Sequence, residues 1–191
     1  MAHTVSTRHW SDSERQPRWA QAIGSAYFPL SLEFAASDRF SGNLQIWETA
    51  STPLTLSRLR SSQLGYSRSK AQVSEDQQAC YLVTVPRRSE VHFEQDGRAL
   101  HCQPGGFIFE RGDAPYRFHY ASDNDLWVFK LPEQALHGQL AAPNAIHAFV
   151  STPGEPWGGS SSISWPCAPH ALTSALPARA TCCWNRPSRP C

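Results

Sequence analysis

A chain of 191 residues with a formal net charge of +1 is long enough for one domain of ordinary size and too short for two of similar bulk. Lysines and arginines are interspersed with acids as far as about Asp125, so the basic stripe that a phosphate backbone requires is absent and nucleic acid is not an expected partner. No stretch nears the roughly 20 apolar residues of a membrane span, and the opening MAHTVSTRHWSDSERQ lacks the apolar run of a secretory leader. No membrane partner is expected, and a cytoplasmic location is the default.

Residues 1–15 are polar and aperiodic and read as a disordered N-terminus. The segment that follows spaces Trp19, Ile23 and Tyr27 four apart, with Ala22 and Ala26 beside them, which is one face of a short helix weakened by Gly24. After the turn-like SDRFSGN, the segments NLQIWETA and LTLSRLR alternate apolar and polar residues, so each predicts a strand with one buried face. The run CYLVTV, Cys80 to Val85, is short and unbroken and suits a strand. EVHFEQ and RALHC flank Asp96-Gly97, a pair that tolerates the positive φ of a tight turn, and together they predict a hairpin. FIFE, YRFHY and LWVFKL complete a series of short strands, with turns at Pro104-Gly105-Gly106 and Gly112–Pro115. Pro132 fits the first position of a closing helix over EQALHGQLA, and there is no internal repeat. Many short strands with frequent turns predict a mainly β fold, a small barrel or sandwich.

The composition changes near Val150, where we place a domain boundary. From Ser151 onward the only charged residues are Glu155, Arg179, Arg186 and Arg189, while prolines stand at 153, 156, 166, 169, 177, 187 and 190. Such a tail has few means of forming regular structure. Translation of a GC-rich gene in a shifted frame would produce it; the rivals are a natural linker or a tail that folds only with a partner.

The order of elements over residues 16–150 resembles the N-terminal effector-binding domain of AraC-type transcription regulators, a cupin-like barrel. The residues carrying the resemblance are the early helix with Trp19, the phrase FSGNLQIWE, the strand LTLSRLRSS with Ser67-Arg68 downstream, CYLVTV, VHFEQDGRALHCQPGGFIFERGDAPY and LWVFKLP. The resemblance implies a barrel of the double-stranded β-helix type that receives a small-molecule effector, and sensing in place of catalysis. It also implies a homodimer, although the altered sequence after the barrel leaves that point open. Nothing after Val150 offers two periodic helices joined by a short turn, so this chain is expected to lack the DNA-reading half of such a regulator.

A stand-alone cupin-like binding protein or metalloenzyme is the alternative. The eight histidines include no His-X-His pair, and only His92 and His101 are brought together by local geometry, facing each other across the hairpin. We read them as a surface or hydrogen-bonded pair, and no metal or cofactor is expected. Cys167, Cys182, Cys183 and Cys191 lack the spacing of zinc knuckles, and Cys80 and Cys102 sit in apolar strands where a thiol behaves as a small hydrophobe, so no catalytic residue is assigned. For effector binding the candidates are Arg58 and Arg60, two apart on one strand face and suited to an anionic group, Trp47 and Tyr66 as aromatic walls, and Tyr116 as a hydroxyl. A solvated strand face and plain core packing are the competing readings of these same residues.

Overall fold

A computed structural model of the chain describes residues 2–36, 39–48, 53–76, 79–136 and 148–151. The chain divides into a unit Met1–Glu155 and a segment Pro156–Cys191. The tail, the frame-shift reading attached to it and positions 137–141 of the expected closing helix lie outside the described residues.

Twelve strands and three helices are described, in the order β1 (Ala2–Ser6), α1 (Asp12–Ala26), β2 (Ser31–Phe34), β3 (Gly42–Glu48), β4 (Thr55–Ser61), β5 (Leu64–Arg68), α2 (Lys70–Glu75), β6 (Cys80–Pro86), β7 (Val91–Gln95), β8 (Arg98–Cys102), β9 (Phe107–Arg111), β10 (Tyr116–Tyr120), β11 (Asn124–Pro132), α3 (Glu133–Leu136) and β12 (Phe149–Ser151). They form a seven-stranded sheet in the order β1-β3-β4-β11-β6-β9-β12 and a five-stranded sheet in the order β2-β5-β10-β7-β8. Neighbouring strands are antiparallel throughout, as in the pairings of β11 with β4 and β6 and of β10 with β5 and β7. The two sheets bury one face each against the other, and Leu44, Leu59, Leu82, Ile108, Leu126 and Val128 of the large sheet share one core with Leu64, Tyr66, Val91, Phe93, Phe118 and Tyr120 of the small one. This is the expected mainly β barrel.

The hairpin appears where the sequence places it. Gln95 pairs with Arg98, and Asp96 and Gly97 take φ of +53° and +72°, the left-handed pair that a two-residue turn needs to match the twist of its strands. The early helix runs longer than the spacing of its apolar residues required. Ser11 and Glu14 start it: the Glu14 carboxylate accepts from the Ser11 N–H at 3.2 Å and from its hydroxyl at 2.7 Å, which removes an unpaired donor and places negative charge at the positive helix end. Trp19 and Ile23 are fully buried. The Trp19 ring lies on Gly42 of β3 so closely that a Cβ there would stand 2.7 Å from it, while α1 also packs on β2, so the helix bridges the two sheets.

Two expectations are corrected, and three elements are added. Residues 2–15 take regular structure, because β1 pairs with β3 from Ala2↔Trp47 to Ser6↔Asn43 and the Thr7 hydroxyl accepts from Gly42 N–H at 2.9 Å. Backbone pairing with a distant strand supplies what a short polar segment cannot show in its own sequence. Pro132 ends β11 opposite Cys80 instead of opening a helix, and α3 begins at Glu133, whose N–H donates to Ala79 O. Strands β2 and β5 and helix α2 were not read from periodicity, since each is short; α2 is set by a Ser69 and Gln72 capping pair.

Candidate functional site

Strand alternation sends every second residue of both sheets into the barrel, and several of those residues are polar. Tyr27 and Ser57 lie 2.5 Å apart, and because the Ser57 hydroxyl donates to Val128 O, the Tyr27 hydroxyl donates to Ser57. A second chain runs from Tyr66 to Tyr120 at 3.1 Å and on to Ser61 at 2.5 Å, ending where the Ser61 hydroxyl donates to Ser62 O. The phenols of Tyr27, Tyr66, Tyr116 and Tyr120 are all held protonated well past neutrality, chiefly by burial. Near Tyr27 and Tyr116 stands Glu110 of β9, 2% exposed, accepting a short hydrogen bond from the Thr84 hydroxyl. Burial pushes its carboxyl up to about 8, with Thr84 opposing, so near neutrality it is mostly uncharged and can donate as well as accept.

One end of the barrel opens into a pocket of about 530 Å³ built from the loops after β2, β4, β6 and β10. Its lining includes Arg39, Phe40, Ser62, Arg88, Ala121 and Asp123. Ser62 and Ala121 directly follow Ser61 and Tyr120, so the hydroxyl chain ends one residue along the chain from the pocket lining. Phe40 also packs on Trp19 with centroids 5.6 Å apart, and the Trp19 indole N–H is buried with no hydrogen-bond partner. The opposite end is closed by cations: the Arg68 side chain, fully buried, lies 4.2 Å over the Phe28 ring and bonds Pro29 O and Asp76, while Lys130 donates to Tyr27 O.

The structure divides the five sequence candidates. Tyr66 and Tyr116 are inside the barrel, both buried. Trp47, Arg58 and Arg60 lie on the outward face of the large sheet, apart from the two tyrosines, because the inward positions of β4 are Ser57, Leu59 and Ser61. There Arg58 makes a two-pronged ion pair with Asp125 at 2.9 and 2.6 Å and covers Trp127, which stacks on Trp47 at 5.6 Å; Arg60 approaches the same carboxylate at 3.6 Å. An internal anion, Asp125, thus occupies the fork that the sequence reading reserved for a ligand. Sequence reasoning missed Glu110, Thr84, Ser61, Tyr120 and the pocket rim. The available signal was Glu110 two residues from Ile108 in FIFER, a carboxyl in register with a core position.

Among the described residues no histidine faces the barrel interior; His92, His101 and His119 are on the outward face of the small sheet. An interior metal centre of clustered histidines therefore does not fit these residues. Cys80 and Cys102 are buried free thiols pushed up to about 11 mainly by burial, which keeps them in the unreactive form.

Comparison with known proteins is consistent with this architecture. The model of the AraC-binding-like domain family matches residues 19–159. Among solved structures, the AraC-like transcriptional activator CuxR is similar, with a TM-score of 0.66, 18% identity, and coverage of 78% of this chain and 54% of that one, so the chain spans about half of that protein. The Clostridium difficile EutQ protein (TM-score 0.38, 10% identity, 52% of this chain and 75% of that one) is also similar. So is a cupin 2 conserved barrel domain protein from Salinispora arenicola (TM-score 0.37, 10% identity, 56% and 87%). No curated protein matches the sequence. Among the described residues no helix is long and apolar enough to cross a membrane. With its match running from α1 beyond the last described strand, over well more than half of the sequence, the chain belongs to the AraC-binding-like domain family.

Proposed function

We propose that the barrel is the effector-sensing module of an AraC-type transcription regulator, that it acts by binding and not by catalysis, and that it works in the cytoplasm. The observation that carries this reading is the hydroxyl chain Tyr66–Tyr120–Ser61, which ends one residue along the chain from the lining of a pocket that includes Arg39 and Arg88. The lining sets Arg39, Ser62, Gln63, Arg88, Ser122 and Asp123 beside Ala35, Phe40 and Ala121, which suits a small polar molecule that exchanges hydrogen bonds with these groups. The described residues carry no helix-turn-helix element in this proposal, and reading of DNA is not assigned to them.

The test is a thermal-melting screen of the purified chain against small hydroxylated, aromatic and carboxylic compounds. A ligand of this site raises Tm in proportion to the logarithm of its concentration, and Tyr120→Phe weakens it by roughly tenfold, the worth of one hydrogen bond. A screen in which no compound raises Tm, or in which a hit binds Tyr120→Phe and the wild type equally, overturns the proposal.

A further inference from the structure

The outward face of the five-stranded sheet carries an arrangement that effector sensing does not use. One transverse row crosses four strand pairings: Glu33 opposite Gly65, Gly65 opposite His119, His119 opposite His92, and His92 opposite His101. The His92 and His119 rings stack with centroids 4.8 Å apart, and those of His92 and His101 meet edge to face at 4.3 Å. Glu90, just before β7, reaches both members of the hairpin pair with different oxygens: Oε2 lies 3.6 Å from His92 Nε2 and Oε1 lies 3.4 Å from His101 Nδ1. The potential ligand atoms of Glu90, His92 and His101 all lie within 4.8 Å of one another. Two ligands bound about 2.1 Å from one tetrahedral zinc stand about 3.4 Å apart, so the two histidine–carboxylate separations match the edges of a zinc coordination shell, and the wider spread of up to 4.8 Å closes by side-chain rotation on binding.

We propose that Glu90, His92 and His101 form a binding site for a divalent transition metal of borderline softness, Zn²⁺ first, on the outer face of the small sheet. Two neutral imidazoles and one carboxylate are the donor set such ions prefer over Mg²⁺ or Ca²⁺, which take oxygen ligands. His92 and Glu90 are half-buried and His101 is exposed, so an ion reaches the three ligands from solvent and keeps a fourth position open to water. Glu90 and His92 flank the start of β7 and His101 is near the end of β8, so the ion ties the two strands at the end of the hairpin away from its turn. The site lies outside the barrel interior, and Glu90 is the third ligand that the sequence reading of His92 and His101 did not include.

The experiment uses the full chain, stripped with chelator and dialysed against Zn²⁺ or Co²⁺, beside the double variant His92→Gln/His101→Gln. Wild type is expected to hold one more equivalent of zinc than the double variant. A hundredfold excess of Zn²⁺ over Kd is expected to raise Tm by about 5 °C. Because Cys167, Cys182, Cys183 and Cys191 also offer ligands, Co²⁺ separates the sources. The histidine–carboxylate site adds weak visible bands without thiolate-to-metal charge transfer. Equal metal content in the two proteins, or thiolate bands alone, overturns the proposal. Should the double variant fail to fold, Glu90→Gln serves in its place, with a loss of zinc affinity of about tenfold or more expected and an unchanged affinity overturning it.

Discussion

The two sheets are alike inside the barrel and unlike outside it. The large sheet is apolar inside and, over β6, β9 and β12, outside as well: outward-facing Tyr81 and Phe109, both nearly inaccessible, form a second cluster with Val83, Leu131, Phe149 and Leu136 of α3, while β4 and the start of β11 carry Arg58, Arg60 and Asp125 on that face. The small sheet alternates cleanly, with Val91, Phe93, Tyr116 and Phe118 inward and His92, Glu94, Arg117 and His119 outward. A sheet with one wet face writes its orientation into the sequence. A sheet covered on both faces writes only that it is a sheet.

The sharpest test of that difference is truncation of matched aromatics. Phe93→Ala, inward on the small sheet, is expected to cost about 3–5 kcal/mol in urea unfolding, and Phe109→Ala, outward on the large sheet and 4% exposed, nearly as much. A cost for Phe109→Ala below about 1 kcal/mol would remove the second core and make the two outer faces equivalent.

Charge inside the barrel comes next. The Glu110 carboxyl titrates at about 8 when folded and near 4.5 in an ordinary chain. Between those values the folded protein holds a proton that the unfolded chain has released, so stability is fully present below the lower value and declines as pH rises through the upper one, by roughly a few kcal/mol. Glu110→Gln should flatten that slope; urea midpoints for both proteins across this range measure it, and parallel slopes would show that Glu110 is not the responsible group.

Smaller effects belong to the outer faces. Asp125→Ala leaves Arg58 without its two-pronged partner beside Trp127 and is expected to lower stability by about 1 kcal/mol, read as a drop in Tm of roughly 2–4 °C. His119→Gln, on the wet face of the small sheet, should stay within about 0.5 kcal/mol; a larger loss would mean that this face is structural after all.

The same contrast explains what was legible in the sequence. VHFEQ, the Asp96-Gly97 turn and RALHC show both their existence and their facing, because alternation and turn chemistry are local. CYLVTV and LWVFKL are recognisable as strands, yet an apolar run does not say which side looks inward. That is why Arg58 and Arg60 were legible as a matched pair but not as partners of Asp125, more than sixty residues along the chain. Glu110 was hidden for a related reason: with Phe107 and Phe109 apolar on one face and Ile108 on the other, FIFER gives no local ground for choosing the barrel side. The family resemblance supplied the barrel; the hydroxyl chain next to the pocket lining follows from pairings between distant strands, which no single stretch encodes.

Gly42 has a further role in this molecule, which is to be absent as a side chain. The indole of Trp19 occupies the volume where any other residue would place its first carbon, and the same ring rests on Phe40 at the rim of the pocket. The seat of α1 is therefore a keyhole cut into β3, and the wall of that keyhole is shared with the pocket. A molecule settling against Phe40 would press, one aromatic ring away, on the helix that spans both sheets, and Trp19 fluorescence would register its arrival.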